Sequence, residues 1–267
     1  MQRTSQSHIW ALDMNIISYS FYRAQASEYE QESAGASRGN YFRAYIRAIV
    51  RAHHSVFPEW KMRFYHDDRV REFQEFELLT RYQGAGLVEL RSMGPAPSLT
   101  GAMLWRLMPA FDPEVETFLC RDIDSLPQPR ERVAVERWLA SEKPISALHD
   151  STSHWGTVIL GGMCGFRAEH VRKRFDSFAA LRDAMAQSGI DFNRKGGDQL
   201  FLNRVFDESD CLNEWVDPEA GPWDRDRNFT EGWARCVGGG FTAEKVAIWY
   251  DRQKYTSEKI LECEQCE

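Results

Sequence analysis

Short apolar runs of strand length alternate along this chain with stretches of helical periodicity, and nothing else in the sequence restricts the fold so far. Strands are expected within His8–Tyr22 and at Met62–Tyr65, Leu87–Leu90, Thr117–Cys120, Ile145–Leu148 and Thr157–Leu160. Helices are expected at Tyr41–Phe57, Val70–Tyr82, about 100–110, Arg130–Ala140 and from Asp198 onward. The first helix is the clearest: Phe42, Ile46, Ile49, Val50, His53 and Phe57 fall on one face, and Pro58 stops it. Arg43, Arg47 and Arg51 form a second stripe that reads as a solvated face. Strands alternating with helices imply βαβ units, hence an α/β fold on a mostly parallel central sheet flanked by helices. In such sheets ligands bind beyond the carboxyl ends of the strands. No repeat or convincing linker divides the 267 residues, so a single domain is expected.

One strand end carries two acids. Glu116-Thr-Phe-Leu-Cys-Arg-Asp-Ile-Asp-Ser125 reads as a buried strand running out into Asp122 and Asp124. Side chains alternate faces along extended chain, so carboxylates two apart point the same way. Like charges held that close repel unless a cation lies between them or one binds a proton. The expectation is a divalent-metal site for a phosphorylated substrate. Mg²⁺ and Mn²⁺ suit it as hard cations that accept carboxylate and phosphate oxygens together. A solvated turn carrying two acids is the plain alternative for so short a pattern.

Other polar residues gather around this strand in the sequence order. Arg106, about one helix upstream, can reach a diphosphate or a motif carboxylate through its fork of donors, or form a structural ion pair. Arg121 points away from Asp122 on extended chain, and Glu131 sits beside Pro129 at a helix start, so both read as structural. His149, Asp150 and His154 follow a strand end, where such residues serve as metal ligands, general bases or phosphate donors. Gly161 and Gly162 either form a wall against a ligand or make a tight bend. Asp198, at a helix start, is either a cap or a group that orients a hydroxyl.

Bulk properties exclude some classes. A net charge of −7 lacks the basic footprint of a nucleic-acid binder. No apolar run reaches the length of a membrane span, and no signal-peptide pattern opens the chain. The six cysteines are scattered, and a chain of this size does not need disulfides, so reduced thiols in a cytoplasmic protein are expected. Cys263-Glu-Gln-Cys266 lacks the second pair that a zinc site wants and reads as a frayed tail.

Several motifs occur in order: Phe57-Pro-Glu-Trp, Leu104-Trp-Arg106, Cys120-Arg-Asp-Ile-Asp-Ser-Leu-Pro-Gln-Pro-Arg-Glu131, Ala134-Val-Glu-Arg-Trp138, His149-Asp150 with His154, Gly161-Gly-Met-Cys-Gly165 and Asp198-Gln199. Together they resemble bacterial and viral glycosyltransferases of the GT-A type, nucleotide-diphosphosugar transferases with a DxD motif, many of them enzymes of capsular or surface polysaccharide. The resemblance covers roughly residues 8–205. It implies a Rossmann-like sheet, a nucleotide-diphosphate sugar as donor and a hydroxyl acceptor. Asp124 would ligate Mn²⁺ or Mg²⁺, with Asp122 toward the metal or the ribose. Ser18, Ser20, Phe21 and Tyr22 would border the nucleotide, together with Arg106. His149, Asp150, His154, the Gly161-Gly162 turn and Asp198 would line the donor sugar and acceptor. Residues 206–267 would add an acceptor-side lid and tail to the one GT-A domain. The family often has a His after the Asp-Gln helix to complete the metal shell. This chain has no His after His170, so either Asn213 or Glu214 substitutes or the metal binds loosely.

Two other functions compete. A nucleotidyltransferase also pairs acids with a nucleotide on an α/β sheet, but it wants a Gly-rich basic loop where this chain has Ser18-Tyr-Ser-Phe-Tyr22. A non-catalytic sugar-nucleotide-binding descendant of a glycosyltransferase is the second.

Overall fold

The alternation of strands and helices closes into one mixed sheet, with strand order β3-β2-β1-β4-β6-β5-β7 in the computed structural model. The structure describes residues 14–22, 38–98, 100–123, 125–149, 156–215, 260 and 263. Asp124, Asp150 and His154 lie outside the described residues, as do the run Ile9–Leu12 and residues 216–259.

The strands are β1 (Met14–Phe21), β2 (Lys61–His66), β3 (Val88–Ser92), β4 (Val115–Arg121), β5 (Ile145–His149), β6 (Met163–Arg167) and β7 (Cys211–Trp215). Only β6 among them runs against its neighbours; β1 is parallel to β2 and β4, β2 to β3, and β5 to β7. The helices are α1 (Arg38–Val56), α2 (Gln74–Gly84), α3 (Pro129–Leu139), α4 (Ala168–Arg174), α5 (Phe178–Gln187) and α6 (Gly197–Val205). A 3-10 helix, Gly101–Phe111, takes the place of the helix expected at about 100–110.

Two apolar layers sandwich the sheet, and β1 reads them out in alternation. Ile17, Tyr19 and Phe21 enter the layer shared with Ile49, Leu79 and Trp138 of α1, α2 and α3. Ile16 enters the other, with Leu104 and Leu107 of the 3-10 helix and Phe201 of α6. Tyr19 stacks on Phe64 with ring centroids 4.9 Å apart. Burying side chains of this size stabilises the fold by roughly 1.5–3 kcal/mol each.

Four expectations are corrected. Residues 157–160 form no strand; the strand begins later, at Met163, so Gly161 and Gly162 lead into β6 rather than out of it. An apolar run does not by itself separate an anchored loop from a strand, and Ile159 is buried in either case. Within the arginine stripe, Arg51 is buried rather than solvated. The stretch expected as the start of a lid contributes β7 to the sheet edge. The C-terminal cysteine pair is not wholly frayed: Ile260 is buried in the α1–α2 layer, and the Cys263 thiol donates to the Arg81 carbonyl at 3.9 Å. Cys120, Cys164, Cys211 and Cys263 are free thiols, and no described helix is long and apolar enough to cross a membrane.

Candidate active site

From β1 the chain steps outward to β2 and β3, then returns to the other side of β1 as β4. The strand order therefore reverses between β1 and β4, where an open α/β sheet leaves a crevice at the carboxyl ends. Tyr19 stands opposite Arg121 in the β1–β4 register, so Asp122 leaves β4 level with Ser20, while β1 runs on beside β2 to Phe21.

Arg106 joins the acids above that crevice. Residues three apart eclipse one another on a 3-10 helix, which sets the Arg106 side chain over Met103. Its Nε donates to the Met103 carbonyl at 2.9 Å, a group that also accepts from Ser20 Oγ at 3.4 Å. Nη1 binds Asp122 Oδ1, and Nη2 donates to Asp198 Oδ2 at 3.1 Å. Arg106 and Asp198 are both buried, with side chains 4% exposed, while Asp122 remains 46% exposed. One cation thus faces two anions, and only one of the anions meets solvent.

The electrostatics follow from that count. Burial alone would lower the Arg106 pKa, but Asp122 and Asp198 outweigh it and hold the guanidinium charged. Burial pushes the Asp198 carboxyl above the ordinary carboxylate range; Arg106 opposes the shift and Asp122 adds to it. Tyr22 packs edge-on against Trp105 at 6.0 Å. Its phenol is pushed up by burial, with Arg106 opposing and Asp198 and Asp122 adding, so it stays protonated beside the cluster.

Asp198 reaches this point because α6 docks on the 3-10 helix. Gly196, at φ +81°, opens α6, and Thr100 Oγ1 donates to the Phe192 carbonyl at 2.8 Å just before it. The glycine pair completes the enclosure. A Cβ on Gly161 would strike the Asp198 carboxylate and come within 3.2 Å of Arg106 Nη2, and one on Gly162 would strike the Asp122 carboxylate. The two glycines thus form a close wall that makes room for the acids themselves.

Other expected site residues fall differently. Ser18 and Phe21 are core residues rather than nucleotide contacts: Ser18 is fully buried, and Phe21 turns into the opposite layer against Phe73 at 6.3 Å. Ser20 and Tyr22 border the crevice. Arg106 donates to Met103, Asp122 and Asp198. His149 is buried at the end of β5 with Nε2 at 3.0 Å from the Thr157 carbonyl, bracing the segment before the glycines.

Asn213 lies on β7, and three strand spacings separate β7 from β4. At about 4.8 Å per spacing that is roughly 14 Å, too far for Asn213 and Asp122 to share an ion through bonds of about 2.1 Å. Asn213 and Asp122 therefore do not stand on one ion, and Glu214 pairs with Arg137 at 2.9 Å. Among the described residues no three His, Cys, Asp or Glu side chains cluster to hold a metal.

Asn203 went unnoticed in the sequence. Its amide ties α6 to Val158 and Ile159, partners more than forty positions away, and no local pattern marks such a bond.

No family model matches this chain, and no curated protein does either. Solved structures share its fold. Galactosyltransferase LgtC, crystallised with donor and acceptor sugar analogues, aligns over 94% of this chain and 100% of its own, with TM-score 0.50 and 13% identity. A putative glucose-1-phosphate thymidylyltransferase from Bacillus anthracis, in complex with a sucrose, aligns over 92% and 99%, with TM-score 0.51 and 6% identity. The chain has the GT-A fold of nucleotide-diphosphosugar transferases. At such identities the likeness fixes the fold, and activity has to be argued from the site.

Proposed function

We propose that this protein moves a sugar from a nucleotide-diphosphate sugar to an acceptor hydroxyl, with a divalent cation at Asp122 and Asp124. The observation that carries the reading is the half-exposed Asp122 carboxylate at the strand-order reversal, braced by a buried arginine that also holds Asp198. Hard oxygen donors at that position fit Mg²⁺ or Mn²⁺. Arg106 holds the Asp122 carboxylate through Oδ1, and Asp122 with Asp124 would hold the cation. Bound there, the cation would neutralise charge on the leaving diphosphate.

The chain's own groups supply the rest. Ser20 and Tyr22 border the nucleotide side of the crevice. Arg106 fixes both carboxylates and, being buried, keeps water from the inner side of the cluster. Asp198, with its raised pKa, is suited to accept a hydrogen bond or a proton from a sugar hydroxyl. Asp150 and His154 remain candidates for the acceptor base. The fold shared with a thymidylyltransferase favours a nucleotidyltransferase as the second reading, and the residues Ser18–Tyr22 at the end of β1 speak against it.

A thermal-shift panel of sugar nucleotides, with and without Mn²⁺, tests the proposal on the native chain, Asp122→Ala and Asp124→Ala. Ligands that bind only the folded state raise the melting temperature. A shift that needs the cation and both acids names the donor, and acceptor-dependent release of nucleoside diphosphate then marks transfer, while free sugar marks hydrolysis of the donor. Pyrophosphate release from a nucleoside triphosphate and a sugar phosphate would install the second reading. No shift with any donor would leave a non-catalytic descendant of the fold.

A further inference from the structure

Asn203 lies on the helix that carries Asp198 and meets the irregular stretch leading to the glycine pair. Its Oδ1 accepts from the backbone N–H groups of Val158 at 3.1 Å and Ile159 at 2.9 Å. Its Nδ2 donates to the carbonyls of Ile159 at 2.8 Å and Gln199 at 2.7 Å. Every hydrogen bond an amide ordinarily makes is used. The side chain pairs with the Ile159 peptide as a neighbouring strand would, in a stretch that forms no strand and whose backbone groups need partners.

Two further observations give this bond a consequence. Between α6 and this stretch, a groove of about 420 Å³ is lined by Thr157, Val158, Gln199, Leu200 and Asn203, so open space adjoins the stretch there. A short way along the chain, Gly161 and Gly162 pass so close to Asp198 and Asp122 that a single added carbon would collide with either carboxylate. The spacing between wall and acids thus has no slack on the inside, and the stretch itself is held by the Asn203 amide together with the His149–Thr157 contact, the buried Ile159 and Leu160 side chains and the entry into β6 at Met163.

We propose that Asn203 is a positioning residue: it ties the Gly161-Gly162 wall to the helix bearing Asp198, so that wall and carboxylates keep one spacing. The proposal rests on sugar transfer at this site. Asn203 touches no reacting group; it acts through the wall. A misplacement of about 1 Å far from the chemistry can cost about 100-fold in rate.

The test compares the native chain with Asn203→Ala, Asn203→Ser, Asn203→Asp and, as a control on the same helix, Leu200→Ala, which alters an exposed side chain. Measurements are kcat, KM, binding of a nucleoside diphosphate with Mn²⁺, and the amide resonances of Gly161 and Gly162 in glycine-labelled protein. Asn203→Ala should lower kcat by about 10- to 100-fold and leave nucleotide binding within about twofold. Both glycine resonances should move. Asn203→Asp should do no better, since a carboxylate oxygen then faces two carbonyls. Asn203→Ser, which keeps one small donor and acceptor, should fall between and serves if the Ala variant does not fold. Leu200→Ala should change nothing. A kcat within about twofold of native in folded Asn203→Ala, with only a lower melting temperature, would overturn the proposal. Should the native chain turn over no sugar nucleotide, the function proposed above fails separately. The glycine resonances then decide: movement in Asn203→Ala upholds the tie, and unmoved resonances overturn it.

Discussion

Two arginines stand near the carboxyl end of β4, on opposite faces of the sheet, and they do different work. Arg121 turns into the α3 side, where its Nε donates to Glu131 Oε1 at 2.6 Å and its Nη1 to the Cys120 carbonyl at 2.7 Å. Both partners of that ion pair are 1% exposed, and Glu131 also belongs to the capping box that opens α3. Arg106 turns to the other side and binds two carboxylates, one buried and one half-exposed. A balanced, sealed pair joins a strand to a helix. An unbalanced cluster with an exposed acid keeps a negative oxygen turned to solvent, where a cation or a polar substrate can use it. Burial is common to both; charge count and exposure separate the structural pair from the candidate site.

The largest effect expected from this contrast is on stability. Truncating one member of the sealed pair, as in Glu131→Ala, strands a buried charge and should cost about 3–5 kcal/mol in denaturant unfolding. A cost under about 1 kcal/mol would place Arg121 and Glu131 with exposed ion pairs and end the comparison. Asp122→Ala should behave in the opposite sense. It leaves Arg106 and Asp198 as a balanced pair, so stability should hold within about 1 kcal/mol. Transfer should fall by about 100- to 1,000-fold, the scale of losing one electrostatic stabiliser. Loss of folding instead would make the cluster structural.

Gly162→Ala sharpens the same point from the wall. Its Cβ must displace the Asp122 carboxylate, and overpacking of this kind costs about 1–3 kcal/mol. If Gly162→Ala melted like the native chain and retained its turnover, the wall would be looser than described. The smallest effect is pH-dependent. The Asp198 carboxyl sits above its ordinary range because of burial, so the folded state holds this proton more tightly than the unfolded chain. Between the ordinary carboxylate value and the raised one, the folded state binds more protons, and stability falls as pH rises through that window. Unfolding curves of the native chain and Asp198→Asn, compared across acidic pH, should diverge in that direction. Parallel curves would mean that Arg106 fully cancels the burial.

Much of the frame was legible before any coordinates. The apolar runs at β2, β3, β4 and β5 and the Phe57–Pro58 stop to α1 are local signals, and they were found within a few residues of their places. The structural roles of Arg121 and Glu131 also followed locally, from strand alternation and from Pro129 at a helix start. The antiparallel β6 is not legible because a run such as Thr157–Leu160 is apolar for the sake of two buried anchors, Ile159 and Leu160, and carries no sign of strand or loop.

The candidate site divides in the same way. Sequence alone determined that Asp122 would leave a central strand at its ligand-binding end, since period-two alternation and βαβ order need nothing beyond neighbours in the chain. Only the tertiary structure decided which groups meet it there. Arg106 could have faced a phosphate, Asp198 could have been a cap, and the glycines could have been a bend. What the fold adds is the set of contacts that only it brings together: Arg106–Asp198, Gly162–Asp122 and Asn203–Ile159. The physical reason is range: helix and strand patterns are written in residues a few positions apart, whereas a charge cluster is fixed by desolvation and Coulomb terms between groups that only folding brings together.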